Sequence, residues 1–314
     1  MIGRIRRMIA LNYQTTTAQA RHKWESLFER WAQPPAQTEQ DRCDNAVKQI
    51  RDAISAYSGL SDRHVKTFAQ GSLKNRVNVR KDSDADVCCL HSGVYQYSLP
   101  PGYDAAYFDI IPATYNFSTF RNDVETALVD RFGERNVTRG NKAFDIHENT
   151  RRVDADAVAA FAFRQYFFKD DGSYSFHPGT ALITDREGML ITNFPDQQYK
   201  NGVDKNEATG RRFKKQVRIE KALCNMMGGA TPITSFLIES WVWCAPDECF
   251  GGDTLFDDFE SVLFWVDGQV DDAVRASILT EVNGVKRLFG HHNPWTPQDV
   301  RAFFKAAWHL THST

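Results

Sequence analysis

Polar and apolar residues alternate along this chain with a period that changes from segment to segment. Residues 15–31 (TTTAQARHKWESLFERW) place Trp24, Leu27, Phe28 and Trp31 three and four apart behind a run of threonines, which predicts a capped amphipathic helix. The segment AQPPAQTEQ interrupts it. A second helix is predicted from about Gln40 to Tyr57, with Ala46, Ile50, Ala53, Ile54 and Tyr57 on one face. Residues 64–70 (HVKTFAQ) and 84–90 (DADVCCL) read as strands, the first ending at Gly71. Residues 92–118 are rich in Tyr, Pro and Gly and predict an irregular connection. Residues 119–133 (TFRNDVETALVDRFG) predict a helix stopped by Gly133. KAFDIHE and RRVDADAVAAFAF predict strands, the second buried towards its end. Turn signals at Asp171-Gly172, Pro178-Gly179 and Glu187-Gly188 then predict short strands at the edge of the core. From about Asp204 the texture becomes helical. One long basic helix is predicted over DKNEATGRRFKKQVRIEKALCNMM, followed by helices over ITSFLIESWVWCA, TLFDDFESVLFWVDGQ, DDAVRASILTEVNGVKRLF and TPQDVRAFFKAAWHLTH. A mixed half followed by an all-helical half is an α+β organisation.

The 314 residues suffice for two ordinary domains. The boundaries expected are a flexible arm over residues 1–13, an α/β core with its N-terminal helices over 14–203, and a helical domain over 204–314. Met8 is an alternative start. No stretch reaches the roughly 18 apolar residues of a membrane span, and the basic start MIGRIRRMIALNYQ lacks the apolar core of a signal peptide. A cytoplasmic protein without membrane attachment is expected. The net charge of −2 gives no global attraction for a polyanion, so a long nucleic acid is not expected as partner and any anionic ligand must meet a local basic cluster. The cysteines Cys43, Cys88, Cys89, Cys224, Cys244 and Cys249 show no zinc spacing and read as reduced, apolar residues.

The chemistry gathers in QGSLKNRVNVRKDSDADVCCL, residues 70–90. On a strand, residues i and i+2 point the same way, so Asp84 and Asp86 share a face while Asp82 belongs to the preceding turn. Carboxylates crowded at the start of an apolar strand repel one another. They read either as a solvated acidic turn or as ligands for divalent cations, which take carboxylates, phosphates and water. RRVDADAVAAF supplies a third acid, since Asp154 and Asp156 share one face of this strand and the small apolar residues after Asp156 suggest burial; an edge-strand ion pair to Arg151 or Arg152 is the alternative there. Gly71-Ser72, twelve residues before Asp84, offers backbone N–H groups and a hydroxyl to a phosphate, although such a pair alone is also ordinary turn chemistry. In RRFKKQVRIEK, Lys214, Arg218 and Lys221 are spaced to share one helix face, which needs either solvent or an anion.

A Gly-Ser, an acid-x-acid pair on a strand and a later acid together resemble the polymerase-β-like nucleotidyltransferases. RVDADAVAAFAFRQY, NFPDQQYKNGVDKNEATGRRFKKQVRIEKALCNMM and ITSFLIESWVW resemble, more narrowly, the bacterial cGAS/DncV-like nucleotidyltransferases (CD-NTases), and clade E most of all, over residues 40–250. The resemblance implies a mixed sheet with flanking helices, joined to a C-terminal helical lobe with the active site in the cleft between them. It implies Asp84, Asp86 and Asp156 as catalytic ligands of two Mg²⁺ ions, with Asp154 as second choice for the third acid and Mn²⁺ as a substitute metal. Gln70, Gly71 and Ser72 would lie at the phosphates, Lys214, Arg218, Lys221 and Ser235 at the donor triphosphate, and Asn193 at the base. Ser235 also reads as a helix cap, and Asn193 as a turn residue before Phe194-Pro195. The implied activity is synthesis of a cyclic dinucleotide from two NTPs, with cyclic di-UMP or another pyrimidine-containing product, in CBASS anti-phage defence. The product would act on a separate effector without direct contact, and a monomer is expected. The alternatives are transfer of a nucleotide to an RNA, protein or small-molecule acceptor, and a catalytically silent nucleotide-binding module.

Overall fold

A computed structural model describes residues 17–79, 84–228 and 233–313; the expected arm over residues 1–13 and the turn residue Asp82 lie outside the described residues. Seven strands form one mixed sheet: β1 (Val65–Ala69), β2 (Ala85–Ser98), β3 (Val137–Arg139), β4 (Phe144–Ile146), β5 (Ala155–Phe168), β6 (Tyr174–Ile183) and β7 (Leu190–Asn193). Their order is β1-β2-β5-β4-β3, with β6 on β5 and β7 on β6. The β2–β5 pair is parallel and the other pairs are antiparallel.

Alternation divides the two faces of this sheet. Ala85, Val87, Phe144, Ile146, Ala155 and Ala157 are buried in one apolar core with Ala46, Ile50 and Ile54 of α2 (Gln37–Ala56) and Phe120, Val124 and Leu128 of α4 (Phe117–Phe132). Alanines on β5 let the helices approach closely. The residues between them, Asp86, Asp145 and Asp156, therefore face the other way. Arg121 of α4, 2% exposed, donates to the carbonyls of Gly140 (2.7 Å), Asn141 (3.2 Å) and Ile183 (3.3 Å), which ties the β3–β4 turn to the end of β6.

Two expectations about this half are corrected. Residues 92–98 continue β2 instead of starting an irregular connection. After a register shift between His91 and Tyr95, residues Tyr95–Ser98 pair with Ala162–Gln165 of β5, and the Arg164 guanidinium lies 3.8 Å from the Tyr95 ring centre. Strands β5 and β6 are also long, 14 and 10 residues, because each pairs with the other out to Phe168 and Tyr174.

The chain divides into two compact units, neither continuous in sequence. Of the described residues, 36–74 and 84–196 form the sheet unit, and 17–35, 75–79 and 197–313 form the helical unit. The first helix, α1 (Ala18–Trp31), thus belongs with the helices and not with the sheet as the 14–203 boundary anticipates. Its aromatic stripe explains this: Phe28 is fully buried, 5.6 Å from Phe256 and 5.0 Å from Phe259 between ring centres. The remaining helices are α5 (Pro195–Ala208), α6 (Phe213–Met226), α7 (Ser235–Cys244), α8 (Leu255–Val270), α9 (Ala273–Ile278) and α10 (Pro297–His312). Capping boxes start α8 (Thr254 with Asp257) and α10 (Thr296 with Asp299).

The single long basic helix is in fact two. Gly210 (φ +57°) and Arg211 (φ +66°) take left-handed backbone, and the Arg211 N–H returns to the Asn206 carbonyl at 2.6 Å, which ends α5. The helix anticipated over residues 271–289 shrinks to α9, since Leu279 onward turns back so that Thr280 bridges Arg287. None of the six cysteines is in a disulfide. Among the described residues no helix is long and apolar enough to cross a membrane.

Candidate active site

The sheet register assembles the acids that the sequence separates. Ala85 N–H donates to the Asp154 carbonyl at 2.9 Å, which starts the parallel β2–β5 pair, and Asp86 then lies directly beside Asp156. Asp84 precedes β2 and is exposed. Asp154, the second choice for the third acid, is engaged elsewhere: its Oδ1 accepts from the Glu148 N–H at 2.5 Å and closes the loop before β5. Asp156 is half-buried, and its carboxyl pKa is raised, first by burial and then by the charges of Asp145, Asp84 and Asp154. Asp145 is a residue that the sequence reading missed. It pairs with Asp156 from the other side, on β4.

Gly71 closes this face from the neighbouring strand. Gln70 N–H donates to the Asp86 carbonyl at 2.9 Å, and Gly71 turns the chain with φ +59° into the short helix α3 (Gly71–Asn75). A Cβ on Gly71 would stand 2.3 Å from Asp86 Oδ2, so glycine is required both by its backbone and by the carboxylate beside it. Ser72 follows at the start of α3, half-buried. Gly71→Ala is expected to push the Asp86 carboxylate aside and cost about 1–2 kcal/mol of left-handed strain. The activity that the resemblance implies, followed as pyrophosphate release, should then fall on the order of a hundredfold, as for a misplaced catalytic group. Initial rates beside a thermal melt check this; a wild-type rate would show that Asp86 need not stay where it is.

The helical unit corrects the picture of a solvent-facing basic triad. Lys214, Arg218 and Lys221 do share one face of α6, but Arg218 and Lys221 are turned into the unit's interior. The Arg218 Nε and Nη2 donate to the Ala32 carbonyl (2.8 and 2.6 Å) and its Nη1 to the Arg76 carbonyl (2.8 Å). Burial pulls its pKa down to about 10, still charged at neutral pH. Lys221 Nζ donates to the Val77 carbonyl at 2.9 Å. Both cations therefore fasten α6 to the C-terminal end of α1 and to residues 76–77, and three of the five Arg218 N–H groups are given to backbone carbonyls. Lys214 is half-buried, with its pKa lowered by burial. The α7 cap is Thr234, whose side chain accepts from Leu237 N–H, so Ser235 is the first helical residue, exposed and not the cap. Asn193 ends β7, paired with Thr180 and exposed.

Residues 200–312 match the C-terminal helical domain model of the cGAS/DncV-like nucleotidyltransferases. A cyclic dipyrimidine nucleotide synthase from Legionella pneumophila is 40% identical over 292 residues, covering 91% of this chain and 97% of that protein. The chain belongs to the cGAS/DncV-like nucleotidyltransferases. A second cyclic dipyrimidine nucleotide synthase of this family, from Cecembia lonarensis, is 33% identical and covers 90% of this chain and 97% of its own length. The solved structure of a Rhodothermus marinus c-UMP-AMP synthase, held with Apcpp and Upnpp, superposes with TM-score 0.79 at 28% identity, covering 91% of this chain and 95% of that one. These relatives place the chain in clade E and its fold in the polymerase-β-like α+β class.

Divalent cations serve this nucleotidyltransferase family generally, and the sheet face offers the donors they take. Asp86 and Asp156 stand side by side on the β2–β5 pair, with Asp84 just before β2, and carboxylates are the hard oxygen donors such cations take. Neither Asp156 nor Asp145 makes a side-chain ion pair or hydrogen bond among the described residues. As the side chains stand, no three described carboxylates, imidazoles or thiolates close around one point. Like charges repel, and what the strands fix is the backbone row from which these carboxylates project.

Proposed function

We propose that this protein is a cyclic dinucleotide synthase that joins two pyrimidine nucleoside triphosphates, uridine among them, with release of pyrophosphate. The observation that carries the reading is the direct pairing of Asp86 with Asp156, with Gly71 packed on Asp86, in a chain 40% identical to a cyclic dipyrimidine nucleotide synthase. A ribose hydroxyl of one nucleotide attacks the α-phosphorus of another, the bond to the β-phosphate breaks, and pyrophosphate leaves. A second round on the linear product closes the ring. Asp84, Asp86 and Asp156 would hold divalent cations, which supply charge neutralisation at the phosphates and lower the pKa of the attacking hydroxyl.

Asp156 is the proposed acceptor of the hydroxyl proton, because burial and its acidic neighbours already favour a proton there. Gln70, Gly71 and Ser72 present backbone and hydroxyl donors to phosphate oxygens. Lys214 and Ser235 are the proposed contacts of the donor triphosphate, with Lys221 as a fixed charge behind them. Asn193 is proposed to choose the base, since its amide offers both a donor and an acceptor to a uracil edge. The product would serve as a second messenger in CBASS anti-phage defence, read by a separate effector.

Incubation with Mg²⁺ and all four NTPs, followed by mass spectrometry, tests this. A phosphatase-resistant cyclic product containing uridine is expected. A nucleotide attached to an added RNA or protein acceptor, or bound NTP without turnover, would sink the proposal. Asn193→Ser is expected to shift the base composition of the product; an unchanged composition removes Asn193 from base selection.

A further inference from the structure

Residues 75–77 are held, one after another, by buried charged side chains of the helical unit. Asn75, the last residue of α3, is 3% exposed, and its Nδ2 donates to Glu239 Oε1 at 3.1 Å. The next two carbonyls, of Arg76 and Val77, accept from Arg218 and Lys221 of α6. Arg76 takes left-handed backbone (φ +54°), which a residue with a Cβ adopts only at a cost, so the segment needs such anchors.

Glu239 is the anionic member of this set. It lies on α7, one helical turn after Ser235, and is 3% exposed. Its other oxygen, Oε2, accepts from Gln198 Nε2 of α5 at 3.0 Å. A carboxylate buried this deeply is costly unless cations compensate it. Lys221 and then Lys214 are the cations whose charge reaches it. Lys221 already donates to the Val77 carbonyl. The Lys214 ammonium, by contrast, makes no hydrogen bond or ion pair with a described residue, and the Tyr199 ring centre lies 6.0 Å from it. Burial works against its charge and Glu239 works for it. A half-buried ammonium that is kept charged and spends none of its own donors can meet an external anion.

We infer that Glu239 is a positioning residue for the donor triphosphate. It fixes Asn75, at the end of the short helix that Gly71 and Ser72 begin, and it supplies the countercharge of Lys214. Buried as it is, Glu239 acts through these two residues and not by touching the nucleotide. This rests on the reading of Lys214 as a triphosphate contact.

The test is steady-state pyrophosphate release by the full-length protein at pH 8, with Mg²⁺ and the four NTPs varied together, beside a thermal melt. Glu239→Gln keeps the size and both hydrogen bonds, since Asn75 can turn its amide over and offer an Oδ1 that has no partner among the described residues. KM is expected to rise on the order of tenfold with kcat within about threefold, the mark of lost binding with the chemistry intact. Tm should be no lower than wild type, because a buried charge is gone. Lys214→Ala should raise KM similarly, and adding Glu239→Gln to it should cost little more, because the two act as one. If Glu239→Gln keeps the wild-type KM while Lys214→Ala does not, Glu239 is structural: the inference fails and the triphosphate reading stands. Fully additive effects, or a Tm well below wild type for Glu239→Gln, overturn it too. If Lys214→Ala keeps the wild-type KM, the triphosphate reading is wrong and the inference falls with it.

Discussion

Asp156→Asn is expected to reduce nucleotidyl transfer on the order of 10³-fold or more, about 4 kcal/mol of barrier, without loss of stability. The side chain keeps its size, so the β2–β5 and β4–β5 pairings are undisturbed. What disappears is the charge and the oxygen that takes the proton of the attacking hydroxyl. The sign of the stability effect follows from the raised pKa of Asp156. A carboxyl whose folded pKa lies above its unfolded value contributes stability that is fully present below the unfolded pKa and lost as pH rises through the folded one. At neutral pH the ionised Asp156 is therefore a burden, imposed by burial and by Asp145, Asp84 and Asp154, and asparagine removes it. Pyrophosphate release and a thermal melt on the same preparation check both halves. A variant that keeps a tenth of wild-type activity, or that melts well below wild type, would show that Asp156 is there for the fold.

The same residues show which parts of this molecule could be read from sequence. Asp84, Asp86 and Asp156 are legible as candidates because each sits in a local pattern: a period-two acid pair or an acid before an apolar run. Asp145 is not, because KAFDIHE is an ordinary short strand until β4 is known to pair with β5 at Asp156. The α1 helix was legible from Trp24, Phe28 and Trp31, but its partner was not: only the packing of Phe28 on Phe256 and Phe259 assigns it to the helical unit. Likewise Lys214, Arg218 and Lys221 show the expected periodicity, yet periodicity says which residues share a face and not what that face meets. The carbonyls of Ala32, Arg76 and Val77 meet two of the three, and those lie over a hundred residues away along the chain. Local signals failed in the other direction at residues 92–98, where pairing with β5 overrode a turn-rich composition.

Glu220 leads to a second large effect, on stability. It is fully buried on α6, and its carboxyl accepts from Trp241 Nε1 at 2.5 Å and Gln216 Nε2 at 3.3 Å. Burial pushes its pKa from 4.5 to about 8. Turning the Gln216 amide over would bring its Oε1, a buried acceptor with no hydrogen-bond partner, to where a protonated Glu220 can donate to it. With the folded pKa raised, stability is fully present below about pH 4.5 and declines by about 1.4 kcal/mol per pH unit until the folded pKa is passed. Glu239, pushed up to about 7 by burial, adds a decline of the same sign. Glu220→Gln replaces the pH-dependent donor by a permanent amide. Near pH 4 it should match wild type, and near pH 8.5 it should be more stable by a few kcal/mol. All seven tryptophans, Trp24, Trp31, Trp241, Trp243, Trp265, Trp295 and Trp308, lie in the helical unit, so urea unfolding followed by tryptophan fluorescence reports that unit alone. If wild type and Glu220→Gln lose stability in parallel as pH rises, Glu220 is not the group that titrates.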